Sequence, residues 1–119
     1  VELDQVPEMQ TNDSKWLFLK VGHRIQKIVL DEILFIQGMK DYLQIHTSTE
    51  KIMVLMNFSK MVHLLPNDKF ARVHKSFIVS IEKIDHIERN RIIIGKNFIP
   101  ISETYSEYFF QNLKGFGRN

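Results

Sequence analysis

Apolar and polar positions in this chain alternate with a period of two over most of its length and switch to a helical period in two places. Residues 16–21 and 24–30 read as strands joined at Gly22-His23, together a hairpin. Asp31-Glu32 interrupts the pattern before Ile33-Leu34-Phe35-Ile36-Gln37, apolar through Ile36, the mark of a short buried strand. A loop at 38–41 leads into residues 42–47, where Leu43 and Ile45 take one face and Gln44 and His46 the other, expected to be polar. Residues 48–51 have turn chemistry, and strand-like runs follow at 52–55, 70–74, 77–80, 84–89, 91–94 and 98–101, with turns at Asn90 and at 95–97.

The helical period appears first after Asn57, a good N-cap, where Phe58, Met61, Val62 and Leu65 share one face until Pro66 stops the run. It returns after Ser102, which is placed to cap a final helix, with Glu103 where the helix dipole favours a carboxylate. Tyr105, Tyr108, Phe109 and Leu113 form the expected apolar stripe, Gly115 and Gly117 end it, and Arg118-Asn119 is a frayed end. About ten short strands and two short helices, without strand–helix alternation, exclude a doubly wound parallel sheet. The expectation is a mostly β fold of antiparallel sheets.

Length and composition narrow this further. The 119 residues suffice for one domain with a substantial core. Absence of cysteine excludes disulfides and thiolate metal sites. Sixteen Lys and Arg against fourteen Asp and Glu leave a net charge of +2, so any grip on nucleic acid depends on where the cations sit. Residues 1–14 are acidic, carry Pro7 and show no period; they read as a linker or tail, leaving 15–119 as the domain. Because the chain opens with Val1, it is expected to be a piece of a longer protein. Apolar runs are too short to cross a bilayer and no signal peptide is visible, so a cytoplasmic location without membrane contact is the default expectation.

Enzyme signatures are missing. There is no glycine-rich phosphate loop, and the five histidines (His23, His46, His63, His74, His86) lie eleven or more residues apart, outside short metal-ligand spacing. No catalytic residue, metal or cofactor is therefore expected. His46 and His86 read as strand residues on polar faces, and His63 as solvated.

The segment with most chemical character is Phe70-Ala71-Arg72-Val73-His74-Lys75-Ser76-Phe77-Ile78-Val79. In an extended chain Ala71 and Val73 can face a core while Arg72 and His74 face outward, and Lys75-Ser76 falls where the chain must turn. Two cations, an imidazole and a hydroxyl on a rigid strand end suit a surface that grips phosphate and base edges. Lys40 in one loop and the Ser102-Glu103-Thr104 helix start, with its free N–H groups, are further candidates.

In this order the segments resemble the LytTR DNA-binding domain, the output module of LytR/AlgR-type bacterial response regulators. The likeness rests on the 33–37 strand leading through Lys40-Asp41-Tyr42-Leu43-Gln44-Ile45-His46, the short helix ending at Leu64-Leu65-Pro66, the 70–79 segment, and Ile99-Pro100-Ile101-Ser102 followed by Tyr105. It covers about residues 16–113. The resemblance implies an elongated antiparallel β fold that binds duplex DNA through loops entering successive major grooves. It places base contacts on Lys40-Asp41-Tyr42, on Lys75, and on Glu103 after Ser102. Arg72, His74, Ser76 and Thr104 become candidates for phosphate contact. It further implies a phosphorylated receiver domain upstream and dimerisation on tandem DNA sites. Family members often carry a basic residue where this chain has Glu103; a carboxylate cannot pair with guanine O6 or N7 and repels phosphate unless it meets a cytosine amino group. The rival reading is a protein-interaction or dimerisation module. It draws on the near-neutral charge and on Tyr105, Tyr108, Phe109, Phe110 and Phe116 in and after the last helix.

Overall fold

The computed structural model describes residues 15–113 and 115, which form ten strands and two helices. Strands β1 (Trp16–Val21) and β2 (Arg24–Val29) make a hairpin. A five-stranded sheet runs in the order β5 (Lys51–Val54), β4 (Tyr42–Thr47), β3 (Ile33–Met39), β7 (Phe77–Ser80), β6 (Phe70–His74). A three-stranded sheet joins β8 (His86–Glu88), β9 (Arg91–Ile94) and β10 (Asn97–Pro100). Every pairing is antiparallel. Helix α1 (Phe58–Leu64) lies between β5 and β6, and α2 (Glu103–Gln111) follows β10. The domain is elongated, 48 × 29 × 24 Å, and mostly β with two short helices, as the residue pattern implies. The tail at 1–14, Phe116 and the terminus from Gly117 to Asn119 lie outside the described residues. Among the described residues no helix is long and apolar enough to cross a membrane.

The five-stranded sheet separates two cores. On one side Ile33, Ile36, Leu43, Ile45 and Ile78 pack with Leu19 and Ile28 of the hairpin and Met61 of α1. On the other, Phe35, Val73 and Val79 pack with Ile92, Ile94 and Ile99 of the three-stranded sheet and Phe109 of α2. A strand covered on both faces has no polar side, which explains the apolar runs at 33–36 in β3 and 77–79 in β7. In β3 the register slips between Ile33 and Phe35, so one extra residue is accommodated there. Leu34 and Phe35 consequently both serve the second core while Ile33 and Ile36 serve the first.

This two-sided burial corrects the expectation for His46. Its face of β4 is opposite Leu43 and Ile45 as the alternation requires, but that face is covered. His46 is 9% exposed, pairs directly with Phe35 across the β3–β4 ladder, and stacks on its ring at 4.1 Å between centroids. Its Nε2 is buried without a hydrogen-bond partner. His86 and His63 are exposed, and His86 pairs with Glu88 at 3.3 Å.

Smaller differences have local causes. Gly38 and Met39 extend β3 instead of opening a loop, because β4 pairs back to Met39. Residues 81–83 form a 3-10 turn, which delays β8 until His86. Tyr108, assigned above to the apolar stripe of α2, is 73% exposed; Phe110 packs against the second core beside Phe109.

Burial, and secondarily the Lys51 ammonium, hold the His46 imidazole below its ordinary pKa of 6.5. Below that value the unfolded chain takes up a proton that the folded chain refuses, so this group's stability is full above 6.5 and is lost as pH falls through the lower folded pKa. Urea midpoints measured from about pH 7.5 to about pH 5 should therefore decline, and His46→Leu, which removes the unpartnered nitrogen, should reduce that decline. An unchanged slope in the variant would assign the titration to another group.

Candidate nucleic-acid interface

Three segments separated in sequence meet along one margin of the five-stranded sheet. The first is the Lys40-Asp41 turn of the β3–β4 hairpin, closed by the Met39–Tyr42 pair, with Lys40, Asp41 and Tyr42 all exposed. The second is the Lys75-Ser76 turn between β6 and β7, closed by the His74–Phe77 pair, with Lys75 exposed and Ser76 half-buried. The Gly38 amide donates to the Ser76 carbonyl at 2.8 Å, which ties the two turns together. Lys40, Tyr42, Lys75 and Ser76 line one shallow groove of about 230 Å³, with Asn57 and Phe58 at the start of α1 as its far wall. Asn57 caps that helix as its sequence suggests, its Oδ1 accepting from the Lys60 amide at 2.8 Å.

The third segment is the start of α2. The Ser102 amide donates to the Val73 carbonyl at 2.9 Å, so the helix begins directly against the strand that leads into the Lys75 turn. Glu103 and Thr104 are exposed there. Ser102 occupies the N-cap position with extended backbone, but its side chain makes no cap hydrogen bond, and Oγ is buried without a partner. The expected side-chain cap is not formed; the backbone bond to β6 fixes where the helix starts but leaves the first-turn N–H groups uncapped by Ser102.

Arg72 connects all of this. It does not project outward: it is half-buried, and its guanidinium lies over the Phe58 ring at 4.6 Å and the Tyr105 ring at 5.2 Å. Nη2 donates to the Lys75 carbonyl at 2.7 Å and Nε to the His74 carbonyl at 3.3 Å. The planar fork thus fastens the backbone of the second turn while the cation sits against one ring from each of α1 and α2. His74 is also turned in, edge-on to Phe77 at 5.5 Å, and its Nδ1 accepts from the Ser76 amide at 3.1 Å. With Nδ1 accepting, the neutral ring carries its proton on Nε2, which remains a donor. Both residues depart from the outward orientation expected from alternation. For Arg72, whose side of the strand is the expected one, the reason is the cover that the two helices place over that side; for His74 it is the register slip that follows Arg72.

The margin presents Lys40 and Lys75 as exposed cations, with Asp41 and Glu103 as exposed carboxylates beside them. Among the described residues no group of three or more His, Asp or Glu side chains is arranged to hold a metal ion. Gly38 and Phe58 belong to the site and were not singled out by sequence. A Cβ at Gly38 would meet the Phe58 ring carbons at 3.3 Å, so a side chain there would push the ring back by a few tenths of an ångström from the close approach of β3 to α1. A glycine at the end of an apolar strand run is the signal for such an approach.

The LytTr DNA-binding domain family model matches residues 23–114. A response regulatory protein of Vibrio cholerae, itself uncharacterized, is 24% identical over 103 residues, covering 79% of this chain; the chain spans 40% of that protein's length. The chain is also similar to a solved structure from Bacillus cereus, the LytTr DNA-binding domain of a protein described as a methyl-accepting/DNA response regulator. The TM-score is 0.73 at 20% identity, over 85% of this chain and 98% of that one. At that identity the likeness is one of fold.

If Arg72 holds the Lys75 turn, Arg72→Met should lower unfolding stability by about 1–3 kcal/mol, the scale of lost charge-assisted hydrogen bonds. Amide exchange at Ser76 should accelerate in the same variant. Arg72→Lys should fail to restore slow exchange, because a point charge cannot reproduce the two hydrogen bonds of the planar fork. Wild-type exchange in the Lys variant would show that the turn holds itself.

Proposed function

The chain belongs to the LytTR DNA-binding domain family, and from that membership we propose that it is a sequence-specific duplex-DNA-binding output module of a two-component response regulator. Its loops would enter successive major grooves, and no chemistry is performed. The observation that carries this reading is the meeting of the Lys40, Lys75 and Glu103 segments on one margin, held by backbone hydrogen bonds and by Arg72. A rigid presentation matters because phosphate contacts fix the register in which a few side chains meet base edges.

On this reading Lys75 donates to guanine O6 or N7 and Lys40 and Tyr42 meet an adjacent groove, with Asp41 restricting which bases are tolerated. Glu103 accepts from a cytosine amino group, while Thr104, Ser76 and the Nε2 donor of His74 face phosphate. Arg72 acts through the turn it holds. An upstream receiver, dimerisation on tandem sites and a cytoplasmic setting complete the proposal. A protein-interaction module is the second reading, favoured by the 73% exposure of Tyr108 on α2.

Two measurements separate these readings. Lys75→Ala should cost about 1–3 kcal/mol at one base position of the preferred site and little on random duplex. Equal weakening on every sequence would reduce Lys75 to a phosphate contact. Glu103→Arg should raise affinity for duplex DNA in general and steepen its decline with salt, because it adds a cation where a carboxylate stood. Affinity for duplex that is absent, or indifferent to ionic strength, would favour the interaction module.

A further inference from the structure

The β1–β2 hairpin uses one face for the first core, through Leu19 and Ile28. By the two-residue alternation its other face carries Trp16, Phe18 and Lys20, opposite Val29, Lys27 and Ile25. Trp16 is 45% exposed, Phe18 57% and Ile25 73%, with the Lys27 ammonium 4.6 Å from the Trp16 ring centroid. Three large apolar side chains together on so small a sheet face exceed the scattered exposures normal for a surface.

Charge distinguishes this face further. Residues 15–30 contain Lys15, Lys20, Arg24 and Lys27 and no carboxylate. The fourteen residues before them contain Glu2, Asp4, Glu8 and Asp13 and no cation, with Val1, Leu3, Val6 and Met9 interleaved. Two adjacent stretches of opposite charge, each with apolar residues among its charges, are complementary to one another.

We propose that residues 1–13 dock on the outer face of the β1–β2 hairpin, their apolar residues covering Trp16, Phe18 and Ile25 and their carboxylates meeting Lys20 and Lys27. Reach is not limiting: thirteen residues extend to about 43 Å, and a six-residue strand spans about 20 Å. Attachment makes the contact intramolecular, so modest affinity suffices. A second copy would bring the same cations against themselves, and a phosphate backbone has no use for three exposed apolar groups. Docking neutralises cations that would attract any polyanion, confining DNA affinity to the Lys40–Lys75 margin; that consequence rests on the function proposed above, whereas the docking does not.

Trp16 is the sole tryptophan, so its fluorescence reports on this face directly. In the full chain, Glu2→Lys, Asp4→Lys and Glu8→Lys combined should red-shift its emission and increase quenching by acrylamide. About 1 M salt, where the Debye length is about 3 Å, should weaken protection in the wild-type chain. Adding Lys20→Glu and Lys27→Glu to the triple variant should restore protection. Equal quenching of wild-type and triple variant at low salt overturns the proposal. So does protection that rises with protein concentration, which assigns the face to a second copy, or protection that arises only on adding duplex DNA.

Discussion

The structure depends on a guanidinium that is neither free nor fully buried. Arg72 sits at the end of an edge strand, where backbone groups lack a neighbouring strand and the chain must reverse within two residues. Its bonds to the His74 and Lys75 carbonyls satisfy two of those groups, and the ring faces of Phe58 and Tyr105 cover the cation without removing it from water. Charge-assisted bonds of this kind are among the stronger polar contacts a domain surface can make. One side chain thereby ties α1, α2 and the Lys75 turn, which the chain order keeps far apart.

The rest of the fold brings those partners within reach. Burying β3 and β7 on both faces makes them a rigid centre, from which the Lys40 and Lys75 turns extend in the same direction. The Gly38–Ser76 hydrogen bond and the bare Cα of Gly38 let α1 close against both. Register slips at Leu34 and Val73 are part of the same construction, since each turns a side chain that strict alternation would send elsewhere. Specific recognition by loops requires such support, because an unsupported loop would lose entropy on every binding event.

Much of this was legible in the residues. The period-two runs located the strands, Asn57 and Pro66 bounded α1, and the ordered pieces around 33–46, 70–79 and 99–105 pointed to the family that the comparison bears out. What escaped had one physical source. Alternation tells which side chains share a face but not whether that face meets water. His46 and Arg72 were placed on correct sides of their strands and given the wrong surroundings, because a second core and two helices cover those sides. Ser102 has the sequence of a side-chain cap, yet its hydroxyl makes no cap bond and its amide is instead tied to the Val73 carbonyl of β6. Tyr108 keeps helical spacing with Phe109's stripe and still faces outward, while Phe110 packs against the second core beside Phe109.

The central claim is that three separated segments form one DNA-reading margin with the Lys75 turn adjoining each of the other two. The chain lacks cysteine, so Lys40→Cys, Lys75→Cys and Thr104→Cys can each carry a tethered iron–EDTA cleavage reagent on an otherwise unlabelled protein. Mapping strand scission on the promoter of the gene that encodes the chain is the most direct measurement. The account predicts three discrete cleavage clusters on one face of a single site, with the cluster from position 75 adjoining the other two. Diffuse scission, or clusters on opposite faces of the duplex, would contradict it.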